Sequence, residues 1–265
     1  MFPLYDNNPT ERTPVVTYLL VAINVLVFLW VSRMSGVDRE VFSYEHGFVP
    51  ARIQGIGQPN AVLPIPVEVA VHDPFWGTRI QEGQINLPCT PKQIGLSLLT
   101  CMFLHGGWMH LLSNMWFLWL FGNNVEDRLG AFFYLFLYLL GGLIASAMHW
   151  AIDPTSTIPV IGASGAIAAV LGAYAVTWPW ARVSCLVVLV VFVTIIDVPA
   201  LLVLGVWFVA QVLSGQEALR HAGGGGVAWW AHVGGFLAGM ALMPPLNAML
   251  GGGRRVETVV EGEQT

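Results

Sequence analysis

Charge is scarce in this chain. Among 265 residues only 10% are Asp, Glu, Lys or Arg, against 55% hydrophobic, and the mean hydropathy is +0.66. An ordinary soluble domain carries roughly 25% charged residues. With so few charges the chain cannot cover a water-facing surface, and a membrane protein is expected. A basic cluster is also lacking, and the formal net charge of −5 gives no footing for nucleic acid. Cysteine is limited to Cys89, Cys101 and Cys185, whose spacing fits neither a zinc knuckle nor a CxxC motif. It permits a Cys89–Cys101 disulfide without requiring one. The first apolar run has no basic flank before it and no small-x-small site after it, so a retained helix is expected rather than a cleaved signal.

The chemistry-bearing absences are as informative. His105 and His110 stand five apart with no glutamate between them, so the H-E-x-x-H of a helical zinc protease is missing. No pair of aspartates lies within an apolar segment, as an aspartyl protease would need. No internal repeat with broken midplane helices marks a transporter.

What is present is a series of apolar segments. The first runs over about 15–32. A long polar stretch, 33–92, follows, rich in Pro and Gly, and reads as a loop or small extramembrane insertion. Further spans are expected at about 107–121, 131–150, 164–178 and 228–246, with a turn at 122–130 and a proline-bearing loop at 152–161. Segment 183–213 is apolar for about 31 residues, too long for one straight crossing. Asp197 and Pro199 interrupt it, so 201–213 is taken as the core of the fifth span, with an embedded or interfacial lead-in. The loop 214–227 holds a run of four glycines.

The expected fold is therefore all-α: a six-transmembrane-helix bundle over 15–250, a cytoplasmic segment 1–14, and a polar, disordered tail 251–265. With the N-terminus inside, five basic residues fall inside (Arg12, Arg128, Arg182, Arg254, Arg255) and six outside (Arg33, Arg39, Arg52, Arg79, Lys92, Arg220). Most outer charges lie in the long first loop, where the positive-inside rule is weak, so the short turns favour the N-terminus inside.

Polar groups inside spans are costly and mark function. His110 and Asn114 lie on the second span, Ser164 opens the fourth, and His232 lies near the start of the sixth. Even-numbered spans run the same way, so these four residues lie at similar depth near one face. Ser164 sits in Gly162-Ala163-Ser164-Gly165, where glycine allows a tight turn and free helical N–H groups make an anion-binding end. Alone, a serine here equally suits a helix cap. Small residues follow at helical spacing: Ser164, Ala168, Gly172 beside Gly165, Ala169, Ala173. His232 shares a face with Gly235 and Gly239. Such faces let helices meet backbone to backbone, which would bring Ser164 within reach of His232, a nucleophile and its base. His110 and Asn114, four apart, could donate to an oxyanion with the Ser164 N–H, or serve as an interhelical clamp. No acidic residue lies in a span near that face, since Asp153, Asp197, Glu126 and Asp127 fall elsewhere. A Ser-His pair is simpler than a triad.

At these residues the sequence resembles the rhomboid intramembrane serine proteases. The carriers are His105, His110 and Asn114 as H-x4-H-x3-N, the G-x-S-G around Ser164, and Ala231, His232, Gly235 and Gly239 as A-H-x-x-G-x-x-x-G. Glu126 and Arg128 look like the family's E-x-R, and the opening P-L-Y-D-N-N-P-T-E-R-T-P is similar to bacterial members. The resemblance implies an intramembrane serine endopeptidase of the bacterial cytoplasmic membrane, opening to the outer face and cutting transmembrane protein substrates within the lipid bilayer. It implies Ser164 as nucleophile, His232 as base and then acid, and His110, Asn114 and the Ser164 N–H as oxyanion hole. Gly162 would lie near that hole, with Gly165, Gly235, Gly239, Glu126 and Arg128 in support and His105 structural or solvent-linked rather than catalytic. The fifth helix would gate substrate entry. No cofactor, metal or nucleic acid is implied. The first loop is longer than in compact bacterial members. The alternative class is a non-catalytic rhomboid-like protein that binds transmembrane helices.

Overall fold

The computed structural model describes residues 2–73, 77–189, 192–220 and 227–250. The glycine run and the polar tail from 251 lie outside the described residues. In chain order the elements are β1 (Phe2–Asp6), α1 (Val15–Val31), α2 (Gly36–His46), β2 (Val62–Asp73), β3 (Gly77–Pro88), α3 (Pro91–Thr100), α4 (Trp108–Ile152), α5 (Ser164–Thr177), β4 (Arg182–Leu189), β5 (Phe192–Pro199), α6 (Ala200–Arg220) and α7 (Trp229–Met249). The chain is mostly helical. Helices Trp108–Ile152 and Ala200–Arg220 are long and apolar enough to cross a membrane, while α1 and α5 are apolar but shorter.

The molecule is not all-α. β1, β4 and β5 form an antiparallel sheet in the order β1-β4-β5, and β2 pairs with β3 as a hairpin. The lead-in before the fifth span is thus a hairpin, with Arg182 opposite Pro199 and Leu189 opposite Phe192. The reason is compositional. Residues 182–199 are crowded with Val, Ile and Thr, which lose χ1 freedom in a helix and suit a pleated surface. An apolar run alone does not separate the two outcomes. α6 then starts directly after Pro199 and runs on to Arg220, past the end expected at 213.

The turn expected at 122–130 is also different. The helix continues through it, and only Gly130, at φ 75°, ψ 163°, breaks α4 into two arms. Its polar residues are docking points rather than loop residues. Glu126 accepts from the Val16 and Thr17 N–H groups and the Thr17 hydroxyl, each at 2.8 Å. A carboxyl group there satisfies first-turn donors of α1 and complements its dipole. Asn124 donates to the Asn8 carbonyl, Asp127 accepts from Arg12 N–H, and Arg128 donates to Asn247 on α7.

The core sits where α4, α5 and α7 meet, around Leu118, Phe121, Tyr134, Tyr138 and Tyr174. α5 is buried almost all round. The outside is apolar as well: Leu26, Met109, Phe132, Leu202, Val206 and Val209 are all exposed. An apolar shell of this kind fits a lipid-facing surface.

The first loop is ordered structure in its described part. Its segment after α2 forms a two-way backbone bridge, Phe48 N–H to Val160 carbonyl at 3.1 Å and Val160 N–H to Phe48 carbonyl at 2.8 Å. Ala51 N–H donates to the Ser156 carbonyl at 3.0 Å. The loop that leads into α5 is therefore braced from outside. The three cysteines are free and buried.

Candidate active site

Three helices supply the site, and their approach is set by missing side chains. A Cβ placed on Gly235 would overlap the Gly165 carbonyl oxygen, one on Gly239 the Ala169 carbonyl oxygen, and one on Gly172 the Phe236 carbonyl oxygen. α5 and α7 thus touch main chain to main chain over two turns. Gly165 itself faces the Ala145 methyl of α4, where an added Cβ would come to 2.8 Å.

At the top of that contact Ser164 Oγ lies 2.7 Å from His232 Nε2. Ser164 is the first residue of α5, so its N–H has no partner within the helix. Gly162 just before it has φ +123°, a conformation that L side chains rarely adopt. Its N–H donates to the Cys101 carbonyl at 2.9 Å, which fixes the turn against the residues preceding α4. A Cβ at Gly162 would come 2.5 Å from His110 Nε2 and 3.6 Å from Ser164 Oγ. The absent side chain leaves His110 Nε2 facing the serine.

Hydrogen bonding orders the ring of His110. Its Nδ1 faces the Gly106 N–H at 3.4 Å, which assigns the acceptor role to Nδ1 and the hydrogen to Nε2. Asn114, one turn on, is buried at 6% exposure, and its Nδ2 has no hydrogen-bond partner among the described residues. That donor lies at the wall of a cavity and is available to a group held there. His105 packs edge-on against His110, with centroids 5.0 Å apart. Burial first, then the neighbouring His110, pulls His105 down to about 3, so it is a neutral ring behind the site.

These groups line one cavity of about 560 Å³, whose wall includes His110, Asn114, Gly162, Ser164, Ala231 and His232. Glu126 and Arg128 are not among them: the first fastens α1 and the second bonds to α7.

One residue in contact with the site has no place in the sequence motifs. Gln211 of α6 puts Oε1 2.7 Å from His232 Nδ1. Its signal was an amide in an otherwise apolar span, which is reason for notice, but an uncharged residue outside any motif is easily passed over. Trp207 and Trp229 flank the same imidazole, with centroids 6.1 Å and 6.0 Å away.

The region that holds these helices is similar to known proteins. The family model described as Rhomboid domain matches residues 93–247, which takes in α4, α5 and all but the last two residues of α7. Rhomboid-like protein 11, chloroplastic, of Arabidopsis thaliana is 35% identical over 101 residues, 36% of this chain and 35% of that protein. RHOMBOID-like protein 5 of the same plant is 30% identical over 149 residues, 55% of this chain and 42% of that protein. Presenilin-associated rhomboid-like protein A, mitochondrial, of Danio rerio is 30% identical over 147 residues, 55% of this chain and 36% of its own length. The chain thus spans less than half the length of these relatives. With more than half of its residues matched by the family model, the chain belongs to the Rhomboid family of membrane-embedded proteins.

Proposed function

We propose that this protein is an intramembrane serine endopeptidase with six membrane-spanning helical segments, the two arms of α4 counting separately. The observation that carries the reading is the 2.7 Å contact of Ser164 Oγ with His232 Nε2 at the wall of the cavity. Its substrates are transmembrane segments of other proteins.

Ser164 Oγ attacks the scissile carbonyl carbon while its proton passes to His232 Nε2. The carbonyl oxygen, now carrying the charge, is met by the Ser164 N–H, the Asn114 amide and His110 Nε2–H. Collapse breaks the C–N bond, and the protonated imidazole hands its proton to the leaving amine. Water then enters and attacks the acyl carbon while giving a proton to His232, and as the bond from that carbon to Ser164 Oγ breaks, His232 returns the proton to Oγ. A substrate helix shields its own carbonyls by internal hydrogen bonds, so it must unwind locally before attack.

The test is cleavage of a model transmembrane substrate by the purified chain in detergent. Wild type is expected to cut, with Ser164→Ala and His232→Ala both inactive. Cutting by Ser164→Ala at the wild-type rate would remove the nucleophile assignment. Binding of the substrate helix without cleavage by wild type would instead favour the non-catalytic reading.

A further inference from the structure

We propose that Gln211 is the positioning residue of the Ser164–His232 pair: it selects the productive tautomer of His232 and ties that choice to the placement of α6. The inference rests on the protease reading above and deepens it.

Gln211 is 7% exposed on a helix whose neighbouring faces are apolar. A buried amide without partners is destabilising, and both ends of this one are engaged. Nε2 faces the Trp207 carbonyl one turn back, at 3.4 Å. Oε1 faces His232 Nδ1 at 2.7 Å. The order is not interchangeable. A carbonyl oxygen turned toward the Trp207 carbonyl would set two acceptors against each other, so the NH₂ goes there and the oxygen to the imidazole. An oxygen acceptor at Nδ1 requires that Nδ1 carry the hydrogen. Nε2 is then the bare nitrogen, and it is the one 2.7 Å from Ser164 Oγ. The chain of assignment runs from a main-chain carbonyl of α6 to the lone pair that receives the serine proton.

The groups facing His232 from other elements do not do this. α5 offers Ser164, α4 offers the titratable His110 and His149, and Trp207 and Trp229 offer ring surfaces. Among the described residues no carboxylate hydrogen-bonds to Nδ1. Gln211 therefore occupies the place an acid holds in a Ser-His-Asp triad, without the charge. It accepts no proton at any step. Its part is orientation and tautomer alone.

Trp207, Gln211 and Gly215 follow one another at four-residue spacing on the face of α6 turned to α7. Trp207 packs on Phe236, and Gly215 lies against the Trp229 and Trp230 side chains. Leu202, Val206 and Val209 on the same helix are exposed. A sideways displacement of α6 breaks the Gln211–His232 bond and releases the tautomer, so the base is fully set only when α6 is seated.

The experiment uses the full chain in detergent with ¹⁵N-labelled histidine, His232 being identified by the signals lost in His232→Ala. In wild type, the His232 shifts are expected to report hydrogen on Nδ1 and none on Nε2. Gln211→Leu is expected to give a mixture of tautomers, with kcat lower by about 10- to 100-fold and KM little changed, less than the roughly 10⁴-fold loss seen when a triad acid is replaced by an amide. Gln211→Glu restores an acceptor at Nδ1 and is expected to restore the single tautomer. Its negative charge favours the protonated ring, so the acidic limb of its pH–rate profile moves to higher pH. Wild-type shifts and wild-type kcat in Gln211→Leu would overturn the proposal. If Gln211→Leu does not fold, an unmoved acidic limb in Gln211→Glu overturns it equally. Should wild type cut nothing, the protease reading fails, and the nitrogen shifts still decide the tautomer.

Discussion

Replacing Gly235 by alanine tests how closely the putting together of α5 and α7 governs the site. The added methyl carbon overlaps the carbonyl oxygen of Gly165 and also comes to 3.2 Å from the Ala168 methyl. The oxygen is main chain in the first turn of α5 and cannot swing aside. To restore ordinary contact the two helices must part by about 1 Å, and overpacking of that kind costs about 1–3 kcal/mol. His232 lies one turn before Gly235 and Ser164 is the residue before Gly165, so the same 1 Å opens the 2.7 Å contact between them. A displacement of that size in an active site costs on the order of 100-fold in rate. The expected outcome for Gly235→Ala is a melting temperature lower by several degrees and kcat lower by about 100-fold in the detergent cleavage assay. Gly205→Ala is the control. Nothing lies within 4 Å of its added carbon, and the gain in helix propensity is about 1 kcal/mol. Unchanged cleavage and unchanged melting in Gly235→Ala would refute the reasoning, because the helices would then have room that their main-chain contact denies them.

On the proposed reading Asn114→Ala removes one donor to the developing oxyanion, and kcat is expected to fall by about 100-fold. A rate equal to wild type would take Asn114 out of the site. Glu126→Gln turns an NH₂ toward the N–H donors of α1 and forfeits at least one of the three bonds to Val16 and Thr17, for about 2–4 kcal/mol of stability. Unfolding in detergent measures it, and a loss under about 0.5 kcal/mol would show the cap to be dispensable. Asp6, at the end of β1, accepts from the Tyr174 hydroxyl at 2.7 Å. Burial nevertheless pushes its carboxyl up to about 6. The folded state therefore holds this proton more tightly than the unfolded chain. The contribution to stability is full below about 4 and is lost as pH rises to about 6. The wild-type stability relative to Asp6→Asn is expected to fall across that window and stay flat above it. A flat difference throughout would show that Asp6 keeps its ordinary affinity.

The sequence discloses contacts made by absence better than contacts made by partnership. Gly235 and Gly239 at four-residue spacing, facing Gly165 and Ala169, make the α5–α7 approach readable, because only main chain remains to fill the gap. The sheet β1-β4-β5 is not readable in the same way. The β-branched residues of β4 and β5 suit a strand, but within a long apolar run they do not by themselves separate a strand from a helix. Asn124, Glu126 and Asp127 mimic a turn because their partners, the backbone groups around Asn8, Arg12 and Thr17, lie more than a hundred residues away. Gln211 is hidden for a related reason. Its partner is a side chain on another helix, and no local pattern announces it.

The bridge between Phe48 and Val160 consists of main-chain groups only. The Phe48 side chain is itself buried in the helical core and Val160 packs against that core, so main-chain bonds and side-chain packing together set the height of the turn that leads into α5. Shortening the strip around Phe48 by a single residue would shift the register of everything that leans on it.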